Sequence, residues 1–181
     1  MTNRKSTKPI DLYSICEISI GYQPNIPVRK RPQISSSLKA HEVFRTNWND
    51  MTIGLYEEFK VMFLNNANRC LGILNIGQGG ITSTMVDIRL VYMAALKAAA
   101  VSMIVAHNHP SGNLKPSYSD KILTEKLNQA SEFLDIKLLD HLILAPDGRY
   151  FSFADEYMLK DLDGIEKQDK KKQPKLTLKY R

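Results

Sequence analysis

The 181-residue chain is poor in the residues that staple small secreted folds. It has two cysteines, Cys16 and Cys70, and neither sits in a CxxC or other ligand spacing. Neither a disulfide framework nor a cysteine-ligated metal site is indicated. Each cysteine lies in an alternating apolar stretch, where a free thiol behaves as a small core residue. Such usage fits a reducing compartment, and a cytoplasmic location is expected. Long hydrophobic runs are missing too. The longest candidate, MAALKAAAVSMIVAHNH, is broken by Lys97, so no stretch reaches the ~18 uncharged apolar residues of a membrane span. The opening MTNRKSTKPIDLYS is basic but carries no apolar core of a signal peptide. A soluble protein with no membrane partner is expected. The single tryptophan, Trp48, and eight tyrosines form no evenly spaced platform for stacking bases. The glycine cluster GQGG at 77–80 lacks both the Lys-Ser/Thr of a phosphate loop and the GxGxxG spacing. It reads as a turn or a flap.

What is present is a core with basic ends. Hydrophobic residues make up 43% of the chain, enough for one buried core. The net charge of +6 is unevenly placed: residues 1–40 carry +5, residues 161–181 carry +3, and residues 41–160 carry −2. The basic character belongs to the ends. Solvated basic arms can hold nucleic acid weakly, but charge alone gives no sequence preference.

Residues 1–10 read as a flexible basic arm. Residues 11–34 read as an extra strand, alternating through LYSICEISI, followed by a proline-rich basic loop. A folded domain is expected over 35–160, and a Lys-rich flexible tail over 161–181. Within the domain, SSSLKAHEVFRTNW predicts a serine-capped helix with Leu38, Val43 and Phe44 at helical spacing, and His41 on its surface. EEFKVMFLN and RCLGILNIG, separated by a polar turn, predict a hairpin. Residues 84–100 predict a helix whose inner face holds Met85, Ile88, Tyr92, Ala95, Leu96 and Ala99. VSMIVA is short and wholly apolar, as a strand buried on both faces would be. YSDKILTEKLNQASEFL then predicts a helix, IKLLDHLILA and RYFSF predict strands across a PDG turn, and DEYMLKDL predicts a last short helix. The alternation gives an α/β fold with a mixed sheet sandwiched by helices.

The buried strand runs into HNHPSGNLKPSYSD, residues 107–120. Residues i and i+2 of a strand point to one side, so His107 and His109 can aim both imidazoles at one point, with Asn108 turned away. Two neutral imidazoles suit Zn²⁺, which takes four tetrahedral ligands. Pro110 and Gly112 turn the chain, and Asp120 returns in the first turn of the next helix, where the helix dipole favours a carboxylate. Three protein ligands leave one position for water, the pattern of a catalytic zinc. Ser117 is a candidate hydroxyl donor to an oxyanion, and the Glu57–Glu58 pair a candidate source of the general base.

His-x-His-Pro-x6-Ser-x-x-Asp resembles the JAMM motif of the JAB1/MPN metalloprotease superfamily. With EEFKVMFLNNANR upstream and DHLIL and YFSF downstream, the chain over roughly residues 35–160 resembles the RadC-type JAB-domain proteins of bacteria. The resemblance implies a JAB/MPN fold of cytidine-deaminase-like architecture. It implies one Zn²⁺ per chain held by His107, His109 and Asp120, with Ser117 stabilising a tetrahedral intermediate. It also implies a catalytic glutamate directly before an apolar strand. Glu58 is the first choice and Glu57 the fallback; the two point to opposite faces, so only one can reach the metal. The expected activity is zinc-dependent hydrolysis of a peptide, isopeptide or other amide bond. Longer RadC-type proteins carry a helix-hairpin-helix region, and residues 1–34 show no such pair of helices; the chain resembles a short form.

The alternative is a DNA-repair or mobile-element-associated factor that binds nucleic acid through its basic arms, with a structural or vestigial metal site. An HNH nuclease is disfavoured because its histidines sit in a ββα hairpin, whereas these end a buried strand. A zinc deaminase would need Pro-Cys-x-x-Cys, which is absent. Ser111 reads as a turn residue, Asn108 as a loop brace, and His141 as a histidine of the core or one behind the metal ligands.

Overall fold

A computed structural model describes residues 26–79 and 86–159. Five strands form one mixed sheet in the order β2-β1-β3-β4-β5. The expected hairpin is β1 (Glu58–Leu64) against β2 (Cys70–Gln78), antiparallel. Its turn places Asn68 at φ 53, a left-handed position that asparagine tolerates. β3 (Ser102–Asn108) lies antiparallel to β1 and parallel to β4 (Lys137–Leu144). All seven residues of β3 are buried, which is why its sequence is a continuous apolar run and does not alternate. β5 (Tyr150–Ser152) pairs antiparallel with β4. The turn before it needs Gly148, whose φ of 88 is open to a residue without a side chain.

Helices cover both faces, so the α/β class with a sandwiched mixed sheet is the one observed. α1 (Ser37–Thr46), capped by the Ser36 hydroxyl, packs Ala40 and Phe44 with Trp48 against Met62, Leu64, Ile104, Ala106, Leu142 and Leu144. α2 (Ile88–Lys97) and α3 (Tyr118–Leu134) cover the other face. There Val91, Tyr92, Ala95 and Leu127 meet Phe59, Val61, Phe63, Met103 and Val105. Alternate residues of β1 and β3 thus feed two cores, the period-2 rule at work.

β4 breaks that rule once. Its pairing with β3 steps from Met103–Leu138 to Ile104–Asp140, leaving Leu139 as an extra residue. Leu138 belongs to the core under α2 and α3, whereas Leu139 packs toward α1. A bulge of this kind reverses the facing of everything after it. Asp140 therefore turns toward α1, where its carboxylate accepts from Ser152 Oγ at 2.7 Å and from the amide of Ala154 at 3.0 Å. His141 turns to the opposite face.

Several expectations need correction. α2 begins at Ile88, capped by the Asp87 carboxylate. Its inner face is Val91, Tyr92 and Ala95; Leu96 is 56% exposed, and Ala99, at φ 50, lies past the helix end. Leu38 of α1 is also exposed. His41 is buried and stacks on Tyr150 at 4.5 Å, because it shares with Ala40 and Phe44 the face turned to the sheet. Residues 155–159 form turns in place of the expected helix start. Cys70 is a half-buried free thiol, its pKa raised by burial. The expected arm, the strand at 12–20, Cys16, Met85 and the tail lie outside the described residues.

Candidate metal centre

The site forms where β3 ends, between β1 and the first turn of α3. His107 is the penultimate residue of β3 and is paired across from Phe59. The strand pairing runs one residue further, the His109 amide donating to Leu144 O at 2.9 Å. Pro110 has no N–H to continue it, and the chain turns. Gly112 closes that turn, its amide donating to His109 O at 3.0 Å with φ at 74. The loop then leads to Ser117, the N-cap of α3.

Ser117 and Asp120 form a capping box. The Asp120 amide donates to Ser117 Oγ at 3.1 Å, and the Ser117 amide donates to Asp120 Oδ2 at 2.7 Å. This explains the Ser-x-x-Asp spacing: it is the reciprocal cap that opens a helix. The same cap fixes the Asp120 carboxylate before any ligand arrives. The sequence carried this signal, since Ser-x-x-Asp before an apolar periodic run is itself a helix-start signature, yet it reads first as hydroxyl donor plus ligand.

The ligand atoms converge. His107 Nε2 and His109 Nε2 stand 2.9 Å apart, with Asp120 Oδ1 at 3.2 Å from the first and Oδ2 at 3.6 Å from the second. Each imidazole has its other nitrogen engaged. His109 Nδ1 lies 2.5 Å from Asn113 O, and His107 Nδ1 lies 2.8 Å from His141 Nε2. A carbonyl only accepts, so His109 carries its proton on Nδ1 when neutral and offers a lone pair at Nε2. Lone pairs and a carboxylate aimed at one point repel until a cation joins them. Ligands at about 2.0–2.1 Å from a tetrahedral zinc stand about 3.3 Å from one another, close to the spacings found. His107, His109 and Asp120 could therefore hold a metal ion, and their donor set suits zinc.

The charges respond to this crowding. Burial pushes the Asp120 carboxyl up, but its contacts with His107 and His109 outweigh that and hold it well below the carboxylate range. Burial pulls His109 down, and the contacts with Asp120 and Asn113 O reverse this, leaving its pKa raised. His141 is fully buried, and burial depresses its pKa strongly.

The two glutamates part at the start of β1. Glu57 lines the cleft beside His107, His109 and Asp120. Burial raises its pKa, the two histidines oppose that rise, and Asp120 adds to it. Glu58, the first choice, is turned to the α1 side with Lys60. Its Oε1 accepts from Asn75 Nδ2 at 3.2 Å, and its Oε2 lies 3.6 Å from Lys60 Nζ. The reason is register: Glu57 shares the face of Phe59, and Glu58 that of Lys60. Asn108 braces this start of β1, as expected of it. Its Oδ1 accepts from the Glu58 amide at 2.7 Å, and its Nδ2 donates to Ile53 O at 2.7 Å and Tyr56 O at 2.8 Å.

These residues open into a cleft of about 1400 Å³ whose lining includes Leu55, Ile88, Arg89, Lys115, Ser117 and Leu123. The model of the RadC-like JAB domain matches residues 34–158. The chain belongs to the RadC-like JAB domain family. A UPF0758 protein of Flavobacterium johnsoniae is 42% identical over 129 residues, covering 71% of this chain and 55% of that protein. A UPF0758 protein of Porphyromonas gingivalis is 38% identical over 134 residues, covering 74% and 59%. One of Actinobacillus pleuropneumoniae is 45% identical over 100 residues, covering 55% and 45%. The chain thus spans somewhat over half the length of the first two relatives. The mixed sheet between helices is consistent with a JAB domain. Among the described residues no helix is long and apolar enough to cross a membrane.

Proposed function

We propose that this RadC-like JAB domain is a zinc-dependent hydrolase of the JAMM type that cleaves a peptide, isopeptide or other amide bond. One observation carries the reading. Two imidazole Nε2 atoms and a carboxylate meet within 4.8 Å at the mouth of a cleft, with Nδ1 of each imidazole engaged elsewhere. Such a set binds a cation through three protein ligands and leaves a further position open to the cleft.

When bound there, zinc supplies a water of lowered pKa and a Lewis acid that polarises a carbonyl. The chain's own residues do the rest. Glu57 accepts the proton of the attacking water and delivers it to the leaving amine. Burial raises its pKa, the direction that suits a group that must both take and give a proton. The Ser117 hydroxyl accepts from the Asp120 amide in the cap, so its own hydrogen is free to donate to the carbonyl oxygen of the substrate as charge grows there. His107 is buried and His109 half-buried at one wall of the cleft. The alternative, nucleic-acid binding through the basic arms, rests on charge in segments outside the described residues.

The test is a zinc-dependent cleavage screen against amide libraries, with Glu57→Gln and Glu58→Gln beside the wild type. Glu57→Gln is expected to keep its zinc and lose activity by about 10²–10⁴-fold, the usual contribution of a general acid–base. Glu58→Gln is expected to stay within a few-fold of wild type. The reverse order would move the base to Glu58 and require β1 to start in the other register.

A further inference from the structure

Behind the metal ligands lies a chain of hydrogen bonds that runs through buried groups and returns to its start. His107 Nδ1 lies 2.8 Å from His141 Nε2. His141 Nδ1 lies 2.6 Å from Thr124 Oγ1. Thr124 Oγ1 donates to the backbone carbonyl of Asp120 at 2.5 Å, one helical turn back. His141 and Thr124 are both 0% exposed. The ring of His141 is stacked on Phe153 at 4.8 Å and set edge-on to Phe59 at 5.8 Å.

The chain has a direction, and its last member sets it. A backbone carbonyl can only accept, so the single hydroxyl hydrogen of Thr124 points at Asp120 O. The hydroxyl oxygen is then left as an acceptor, and His141 must donate to it from Nδ1. With its proton on Nδ1, neutral His141 has a lone pair at Nε2 and accepts there from His107 Nδ1–H. His107 is left with a lone pair at Nε2, the atom that faces Asp120 and His109. We propose that His141 and Thr124 are positioning residues of the metal centre, which hold His107 in the tautomer that presents Nε2 to the ion. The proposal builds on the zinc reading of the preceding subsection.

Two features of the fold serve this arrangement. The bulge at Leu139 turns His141, rather than Asp140, toward the site. Thr124 is one turn into α3, so the same helix supplies a ligand at Asp120 and the final donor of the relay. The relay therefore ties two ligands together through the first turn of α3, and a shift of either is felt by the other. A metal-bound histidine ordinarily donates to a carboxylate or a carbonyl, which can only accept. Here the acceptor is another imidazole, which could equally be a donor, and the Thr124 hydroxyl removes that ambiguity.

The decisive variant is Thr124→Val, which keeps the shape and removes the hydroxyl, with Thr124→Ser as the restoring control. Without the hydroxyl, His141 can place its proton on Nε2, donate to His107, and force the His107 proton onto the atom that should bind the ion. Zinc affinity, measured by competition with a chromophoric chelator, is expected to fall about 10-fold in Thr124→Val. It should return in Thr124→Ser. His141→Phe should lose about 10–100-fold, and His141→Gln, which keeps an acceptor, less. Imidazole nitrogen NMR shifts of the metal-free protein give a second readout that a packing role would not move. Wild type should show His107 and His141 both protonated at Nδ1, and Thr124→Val a mixture at His141. A wild-type His107 protonated at Nε2 would overturn the proposal. So would a folded Thr124→Val with unchanged tautomers and unchanged zinc affinity. A wild type that takes up no zinc would instead remove the metal reading, while the tautomer spectra would still decide the direction of the relay.

Discussion

At the candidate metal ligands, a proton and a metal ion would compete for the same nitrogen. The pKa of His109 is raised because Asp120 and Asn113 O outweigh the effect of burial. A raised histidine pKa stabilises the metal-free fold fully below the unfolded value of about 6.5, and that contribution is lost as pH rises through the folded value. Zinc needs the neutral imidazole, so its affinity climbs over the same range. The melting temperature of chelator-treated protein should therefore fall, relative to His109→Ala, as pH rises above about 6.5. The gap between zinc-loaded and metal-free protein should widen. A gap that narrows with rising pH would remove His109 from the ligand set. The convergence of His107 and His109 was legible in the sequence, because alternation on a strand and a Pro-Gly turn leave few other placements for them. The choice between Glu57 and Glu58 was not. Adjacent carboxylates at a strand start differ only in which face they meet, and that depends on register with β3, set by Asn108 and by Phe59 opposite His107.

Among the elements, α3 holds the most of the candidate site per turn. Its cap, one candidate ligand and the proposed relay hydroxyl all lie within Ser117–Thr124. Ser117→Ala removes the hydroxyl half of the capping box and should destabilise the protein by about 1 kcal/mol in a denaturant titration. The same change frees the Asp120 amide and should weaken zinc binding, whereas Ser117→Thr should retain both cap and affinity. A Ser117→Ala variant with unaltered stability would mean that the cap does not hold α3 in place. The range of α3 is the one its sequence predicts, because a capping residue and a long amphipathic period agree there. α2 was misjudged because its periodicity continues into residues that lie past its end, and helix ends are set by caps and by left-handed positions such as Ala99. The bulge in β4 left no mark that a period-2 pattern could reveal. DHLIL alternates well enough in either facing, and only the parallel pairing with β3 decides which side His141 takes.

For the molecule as a whole, the candidate metal centre and much of the basic charge occupy different parts of the chain. Every residue assigned to the candidate site lies between Glu57 and His141, whereas residues 1–10 and 161–181 each carry a net charge of +3. Removing those two segments should leave zinc content intact. It should also abolish any retention on duplex DNA that weakens steeply between about 50 and 200 mM salt. Salt-sensitive DNA binding that survives the truncation would place a nucleic-acid surface on the JAB domain itself. The most direct test of the account is zinc per chain by elemental analysis of purified protein, wild type beside Asp120→Ala. The account predicts near one zinc in the wild type and far less in the variant. A folded wild type that holds no zinc, even after reconstitution, would contradict it.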